Sequence, residues 1–417
     1  MLLTQENDAT PTVEADPYAE MWLGTHPNGP SMLLDHPSVS LLNLINSTPE
    51  THIGTSDLSK SPTTIGLSVL LKILSINKVL SIQAHPSKPL AEKLHSESPK
   101  IYTDCNHKPE LAIALTDFTA MAGFRPIGEI LEHIDTYPEF MEVLDKDAVS
   151  CLRAAHLKVG GVVADFDSSI KTSLKAVFTS FMSISSNEVE FKRIVDKLME
   201  RLSTITGTET STRIQSFHSM FPYDNGIFSP LLFNILDLTP GQSLFIPAGE
   251  PHAYISGDII ECMASSDNVI RCGLTPKFKD VNTLTDMLSY SPGAVNFSDG
   301  LEVTKVEKLY RPPVDDFEVI VVDVPANDIY MGIGLDSGGI ILCLSGSGTI
   351  GTIPSPLDCC MFDDEEEDAK ESNSSKGAVE KEISFGKSFF LSANNGFVVR
   401  GGSEGVKFCR AQSNCKE

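Results

Sequence analysis

LFNILDLTPGQSLFIPAGEPHAYISGDIIECMASSDNVIRCGLTPKF, residues Leu232 to Phe278, decides the fold class of this 417-residue chain. Short apolar runs alternate here with Pro-Gly and Ala-Gly-Glu turns, the pattern of consecutive antiparallel strands in a barrel or double-sheet jelly roll. The apolar run Leu244-Phe245-Ile246 passes through Pro247-Ala248-Gly249 and delivers His252 just beyond a strand end. A histidine held there faces either a core or a ligand.

Upstream, SIQAHPSKPLAEKLHSESPKIYTDCNHKPE (Ser81 to Glu110) supplies partners for it. Strand side chains repeat every two residues, so Gln83 and His85 project from one face. The preceding run, Ile65 to Ile82, is apolar and broken at Asn77-Lys78, which predicts two buried strands joined by a turn. Pro86 ends the pairing. Glu110 opens the apolar run Leu111 to Leu115 and so sits at another strand terminus. A Gln and a His two apart are by themselves most often satisfied polar groups, and His252 is what turns the pattern toward metal binding. Two imidazoles, one carboxylate and one amide oxygen suit Zn²⁺ with a position left for substrate. With one anionic ligand the ion keeps net positive charge and remains a Lewis acid.

Composition narrows the function classes. A net charge of −24 argues against nucleic-acid binding, because no basic stripe would overcome that field. The hydrophobic content of 41% and charged content of 21% are those of a soluble globular protein. No apolar run reaches the ~18 residues needed to span a bilayer, and the first residues lack a basic segment followed by an apolar one, so no membrane attachment and a cytosolic location are expected. The nine cysteines are scattered, with no C-x-x-C pair, which points to reduced thiols rather than a disulfide framework or a thiolate zinc site.

The chain reads as mainly β, interrupted by helices. Residues 1–16 are expected to be a disordered leader, followed by the first part of a catalytic β domain over 17–125 and its second part over 227–305. Between them, over 126–226, segments such as EVEFKRIVDKLMERL carry apolar residues at three- and four-residue spacing, which predicts an inserted helical domain. Ser185-Ser186-Asn187 is the expected start of one helix. Residues 306–417 predict a C-terminal jelly roll with a disordered acidic loop over 363–376, where Asp363 to Glu371 holds seven acids and one lysine. Gly241 to Ala248 (GQSLFIPA) is echoed by Gly386 to Ala393 (GKSFFLSA), but the second copy leads to Asn394-Asn395-Gly396 with no ligand, so it is expected to be structural.

SIQAHP (81–86), NHKPELAIAL (106–115), PAGEPHAY (247–254), SSDNVIRCGLTPKF (265–278) and PYAEMWLGTHP (17–27) together resemble the type I phosphomannose isomerases, from about Pro17 to the C-terminus. The resemblance implies cupin-like jelly-roll barrels with an inserted α-helical domain, and a zinc-dependent aldose–ketose isomerase acting on mannose 6-phosphate and fructose 6-phosphate, supplying GDP-mannose synthesis. It implies one Zn²⁺ per chain on Gln83, His85, Glu110 and His252, with Arg271 catalytic and Glu20, Lys108, Tyr254, Asp267 and Lys277 binding a phosphorylated hexose. A monomer is expected. Holding a phosphate in so acidic a protein needs a locally positive pocket, for which Arg271, Lys277 and Lys279 are the available cations.

Two other readings stand beside this one. Cupins also host 2-His-1-carboxylate iron oxygenases, and His85, Glu110 and His252 match that triad; Gln83 and the cationic segment argue against it. The other is a non-catalytic sugar-binding cupin. The family pattern includes a strand with an aromatic-x-Trp-Gly element some tens of residues before PYAEMWLGTHP, and nothing in Met1 to Asp16 matches it. An incomplete or alternative product with an open sheet edge and weakened activity is therefore expected.

Overall fold

The computed structural model describes residues 2–4, 20–60, 65–158, 160, 168–184, 187–204, 207–353 and 380–414. The acidic loop over 363–376 lies outside them, as does the leader over 1–16 apart from a short strand at Leu2–Thr4. Strand exceeds helix, and the chain divides into two compact units. One comprises Met1–Leu74, Ile260–Ser265 and Asp299–Glu417; the other comprises Ser75–Ile259 and Ser266–Ser298.

The second of these holds the predicted ligands. Its strand Ile82–Ala84 lies between the start of His252–Ala264 and the strand Ile270–Gly273, and both pairings are antiparallel. Glu110–Ala114 pairs with Ser243–Ile246, with Ile246 opposite Glu110. Phe118–Phe124 pairs with both His252–Ala264 and Phe233–Leu238. The expected break at Asn77-Lys78 is present, between the strands Val69–Ile76 and Ile82–Ala84.

The mainly β framework with inserted helices is as expected, and among the described residues its sheets are open rather than closed barrels. Among the described residues, Ser243–Ile246 and Phe233–Leu238 each pair with a single strand, apart from a lone bridge from Ser243 to Ser298. Two features explain the open sheet. A register shift between Tyr254 and Ser256 bends the long His252–Ala264 strand, as β-bulges do. At the paired positions Phe124 and Phe233 a helix packs on the sheet: Phe178 of Ser168–Ile184 lies 5.4 Å and 6.2 Å from those rings, centroid to centroid.

The helices form because their apolar residues recur on one face. Ile127, Ile130, Leu131 and Ile134 are buried in Ile127–Thr136, and Phe191, Ile194, Val195, Leu198 and Leu202 in Glu188–Thr204. Asn187 caps the latter by accepting from the Glu190 amide, and the first-turn glutamates and Arg201 in the last turn complement the helix dipole. Each fully buried aliphatic or phenyl group contributes about 1.5–3 kcal/mol of transfer free energy. The helical layer is held by this packing.

In the other unit, Gly396–Gln412 runs between Glu318–Val324 and Gly339–Ile353, and Gly339–Ile353 also pairs with Ser388–Leu391. Leu2 pairs with Phe389 and Leu3 with Leu33, so the Leu2–Thr4 strand extends this sheet beyond Ser388–Leu391. Val322, Ile341, Cys343, Phe389, Phe397 and Phe408 pack into one apolar cluster. Leu301–Glu302 and His36–Ser40 end the sheet, which is again open.

Candidate metal centre and active site

Glu110 is the hub. It opens its strand, is 1% exposed, and meets four side chains. Nε2 of His85 lies 3.2 Å from one carboxylate oxygen and Nε2 of His252 lies 3.1 Å from the other. Lys108 Nζ lies 3.3 Å away, and the Tyr254 hydroxyl donates at 3.3 Å. His85 stands one residue past Ile82–Ala84 and His252 is the first residue of its strand, so both ligand-capable rings come from strand ends. The Gly249 amide donates to the His85 carbonyl at 2.9 Å and ties the two ring-bearing segments together. Gly249 itself has a φ of 74°, and a Cβ there would come within 2.8 Å of the Met287 carbonyl oxygen, so glycine is required in this turn.

The hydrogen-bond pattern fixes the tautomers. His85 Nδ1 donates to the Asn268 carbonyl at 2.7 Å, and His252 Nδ1 donates to the Glu250 carbonyl at 3.0 Å. Each Nε2 is buried, without a hydrogen-bond partner among the described residues, and faces the Glu110 carboxylate. Burial pushes His85 down to about 4 despite the attraction of Glu110, which keeps the imidazole neutral at physiological pH. Burial works against the charge on Glu110, yet the Lys108 ammonium beside it helps hold its carboxyl well below the usual range. Two nitrogen lone pairs and a carboxylate, with ligand atoms all within 4.8 Å of one another, form a donor set that a cation satisfies and a proton does not. The residues fit zinc.

Strand register brings in two more side chains. Gln83 is paired with His252 on one side and with Arg271 on the other. Directly opposed residues in antiparallel strands share a face, so His252, Gln83 and Arg271 form a row. Arg271 is half-buried, its Nε has no hydrogen-bond partner among the described residues, and burial pulls its guanidinium below its usual range. An orphaned cationic donor in such a row is suited to an anion.

The structure therefore gathers Gln83, His85, Lys108, Glu110, His252, Tyr254 and Arg271. Three expected pocket residues are placed differently. Asp267 and Lys277 are exposed, and Glu20 belongs to the other unit, where it accepts from the Trp22 indole at 2.7 Å. Lys279 is not available as a phosphate cation: its Nζ lies 3.0 Å from Asp224 and 2.7 Å from the Asn225 amide oxygen. Its charge is used to hold the chain at that point.

Several groups went unread in the sequence. Glu250 is largely buried, and burial pushes its carboxyl up to about 7 against the hydrogen bond from Ser289. Asp104, Ser266 and Asn268 form a dense polar network behind His85. In the other unit, Lys72 lies 3.0 Å from Glu261 and 3.6 Å from Glu20, over the Trp22 ring. Lys72 and Glu261 carried a readable signal, a lone charge inside an apolar strand, in VLLKILSI and DIIECMA.

Comparison with known proteins agrees with this geometry. Residues 3–127 match the phosphomannose isomerase type I catalytic domain, and residues 152–233 match the type I helical insertion domain. A mannose-6-phosphate isomerase from Ogataea parapolymorpha is 40% identical over 81% of this chain and 80% of its own length. The Homo sapiens mannose-6-phosphate isomerase is 37% identical over 83% of this chain and 82% of its own. Among solved structures, a mannose 6-phosphate isomerase bound with zinc and yttrium superposes with a TM-score of 0.74 at 27% identity, covering 96% of this chain and 92% of that one. Both the catalytic and the helical parts match the same family. The chain belongs to the type I phosphomannose isomerases.

Proposed function

We propose that this chain interconverts mannose 6-phosphate and fructose 6-phosphate as a zinc enzyme, feeding GDP-mannose synthesis. The observation that carries the reading is the convergence of His85, Glu110 and His252 in one unit, with Gln83 and Arg271 in the adjoining row. Gln83, His85, Glu110 and His252 would hold Zn²⁺. When bound, the ion supplies Lewis-acid stabilisation to the oxygens of the open-chain sugar.

The remaining chemistry belongs to the side chains. The reaction moves one proton between C1 and C2 and one between the two oxygens, so no electron acceptor or donor is consumed. Charge builds on the oxygens as the carbon proton leaves, and the Arg271 guanidinium, half-buried and with an unpartnered Nε, is proposed to stabilise it. Lys108 and Tyr254 both contact Glu110 and are the two groups positioned to hold or move the proton. Glu20, Asp267 and Lys277 are proposed to bind the rest of the phosphosugar. Neither an iron oxygenase nor a silent sugar-binding cupin is favoured: the curated relatives are named as isomerases, and the Gln83–Arg271 row adds to the triad an amide and a cation suited to an anionic sugar.

The chain is proposed to act as a monomer in the cytosol. The described cysteines are free thiols, and among the described residues no helix is long and apolar enough to cross a membrane. A coupled assay that follows fructose 6-phosphate formed from mannose 6-phosphate tests the function. Turnover by the purified chain is expected. Absence of turnover in zinc-loaded protein would return the non-catalytic reading.

A further inference from the structure

Behind the metal centre, two loops of the same unit are knotted together by side chains. One carries Asp104 and Asn106 just before Lys108 and Glu110, and the other carries Ser266, Asp267 and Asn268 just before Arg271. Asp104 is the acceptor at the centre. Its Oδ1 accepts from the Asn106 amide at 2.8 Å, from Ser266 Oγ at 2.9 Å and from Asn268 Nδ2 at 3.2 Å, while its Oδ2 accepts from the Asp267 amide at 2.7 Å. Asn268 Nδ2 also donates to the carbonyls of Asp104 at 2.9 Å and Asn106 at 2.8 Å, and the Asn268 amide donates to Ser266 Oγ at 3.1 Å. Ser266 and Asn268 are fully buried.

The end of this chain of contacts is the carbonyl of Asn268, which accepts from His85 Nδ1 at 2.7 Å. A metal-binding imidazole needs its second nitrogen held by an acceptor, since that bond selects the tautomer and aims the ring. Here the acceptor is a backbone carbonyl, which has no side chain of its own to steer it. Its direction is set by whatever holds residue 268.

We infer that Asp104, acting through Asn268 and Ser266, is a positioning residue for the metal centre: it sets the carbonyl that orients His85. The inference rests on His85 being a zinc ligand. Asp104 touches no reacting group. It acts by accepting from every hydrogen-bond donor that faces it, which a neutral amide of the same shape cannot do, because one of its two ends is an NH₂ and would be turned toward a backbone N–H.

Asp104→Asn, Ser266→Ala and His85→Ala are to be compared with the parent chain by three readings. These are zinc affinity in competition with a chromophoric chelator, the visible spectrum of the Co²⁺-substituted protein, and the thermal midpoint with and without zinc. Asp104→Asn is expected to lower zinc affinity about ten- to hundredfold. It should also shift the Co²⁺ bands and shrink the rise in midpoint that zinc produces. A role confined to stapling the loops would lower the metal-free midpoint while leaving affinity, spectrum and that rise unchanged, and this result overturns the inference. If Asp104→Asn does not fold, Ser266→Ala, which removes the one hydroxyl hydrogen that faces Asp104 and the Asn106 carbonyl and the acceptor of the Asn268 amide, is read by the same criteria. His85→Ala separates the two levels: parental zinc affinity in that variant would mean that the metal assignment is wrong, whereas loss of zinc there with no change in the folded hub variants would mean that the clamp is wrong.

Discussion

The strands Ser243–Ile246 and Ser388–Leu391 begin from nearly the same sequence and end in opposite uses. Each follows a glycine with positive φ, 90° at Gly241 and 79° at Gly386, and each pairs antiparallel with a strand of its own sheet. At the last position of the first pair, Ile246 faces Glu110. At the last position of the second, Leu391 faces Gly339. Beyond the first strand the turn delivers His252, and beyond the second it delivers Asn394 with a φ of 62° and no titratable group. The same local rule therefore builds a metal centre in one unit and an apolar cluster in the other. What differs is the single residue opposite the strand end and the residue after the turn.

That contrast is broken most severely by removing a ligand. His252→Ala is expected to abolish stoichiometric zinc in elemental analysis while leaving the midpoint of the metal-free protein close to that of the parent; unchanged metal content would mean that the row has another purpose. The opposite unit responds in the opposite way. Phe408 is fully buried among Phe397, Tyr330 and Val322, so Phe408→Ala should cost about 3–5 kcal/mol of stability by leaving a cavity. Chemical denaturation measures this, and zinc per folded chain should not change.

Arg271→Ala should retain zinc and fold yet lose on the order of a hundredfold or more in kcat, the usual consequence of removing one preorganised charge at a developing oxyanion. Steady-state kinetics within a few fold of the parent would take Arg271 out of the chemistry.

A smaller effect is expected in the helical layer, which has no part in the contrast. Burial, despite the hydrogen bond to the Leu231 carbonyl, pulls His133 below its ordinary range. The unfolded chain then binds a proton that the folded chain refuses, so this residue's contribution to stability is complete above the unfolded value and declines as pH falls from there through the lower folded value. The midpoint of the parent should drop more between about pH 7.5 and about pH 5.5 than that of His133→Gln, and parallel curves would contradict this. Smallest of all, deletion of Asp363 to Ser375 should leave kcat and KM where they were.

The parts of the centre that were legible in the sequence share one property. Gln83, His85, Glu110 and His252 sit at strand ends or on strands whose period can be counted, so a side chain's face follows from its position; Arg271 was indicated only by the resemblance of SSDNVIRCGLTPKF to a known family. The helices were legible for the related reason that Phe191, Ile194, Leu198 and Leu202 repeat at helical spacing. That the sheets stay open among the described residues was not, because a bulge at Tyr254 and the edge-on packing of Phe178 against Phe124 are tertiary events with no local signature. Asp104 and Asn268 were missed because they lie on loops, where spacing carries no direction and only the fold brings them together. Lys279 was misjudged for the same reason: proximity in sequence to Arg271 suggested a shared anion, but Asp224, distant in sequence, holds it.

The central claim is that the convergence of two imidazoles and a carboxylate on one side of this fold makes a zinc-dependent isomerase. It is tested most directly by stripping the purified chain of metal, adding zinc back in measured steps, and following the conversion of mannose 6-phosphate. Activity should be absent from the stripped chain, rise in proportion to zinc, and level off at about one ion per chain. Activity that is full without metal, or none at saturating zinc in a folded chain, would contradict the account.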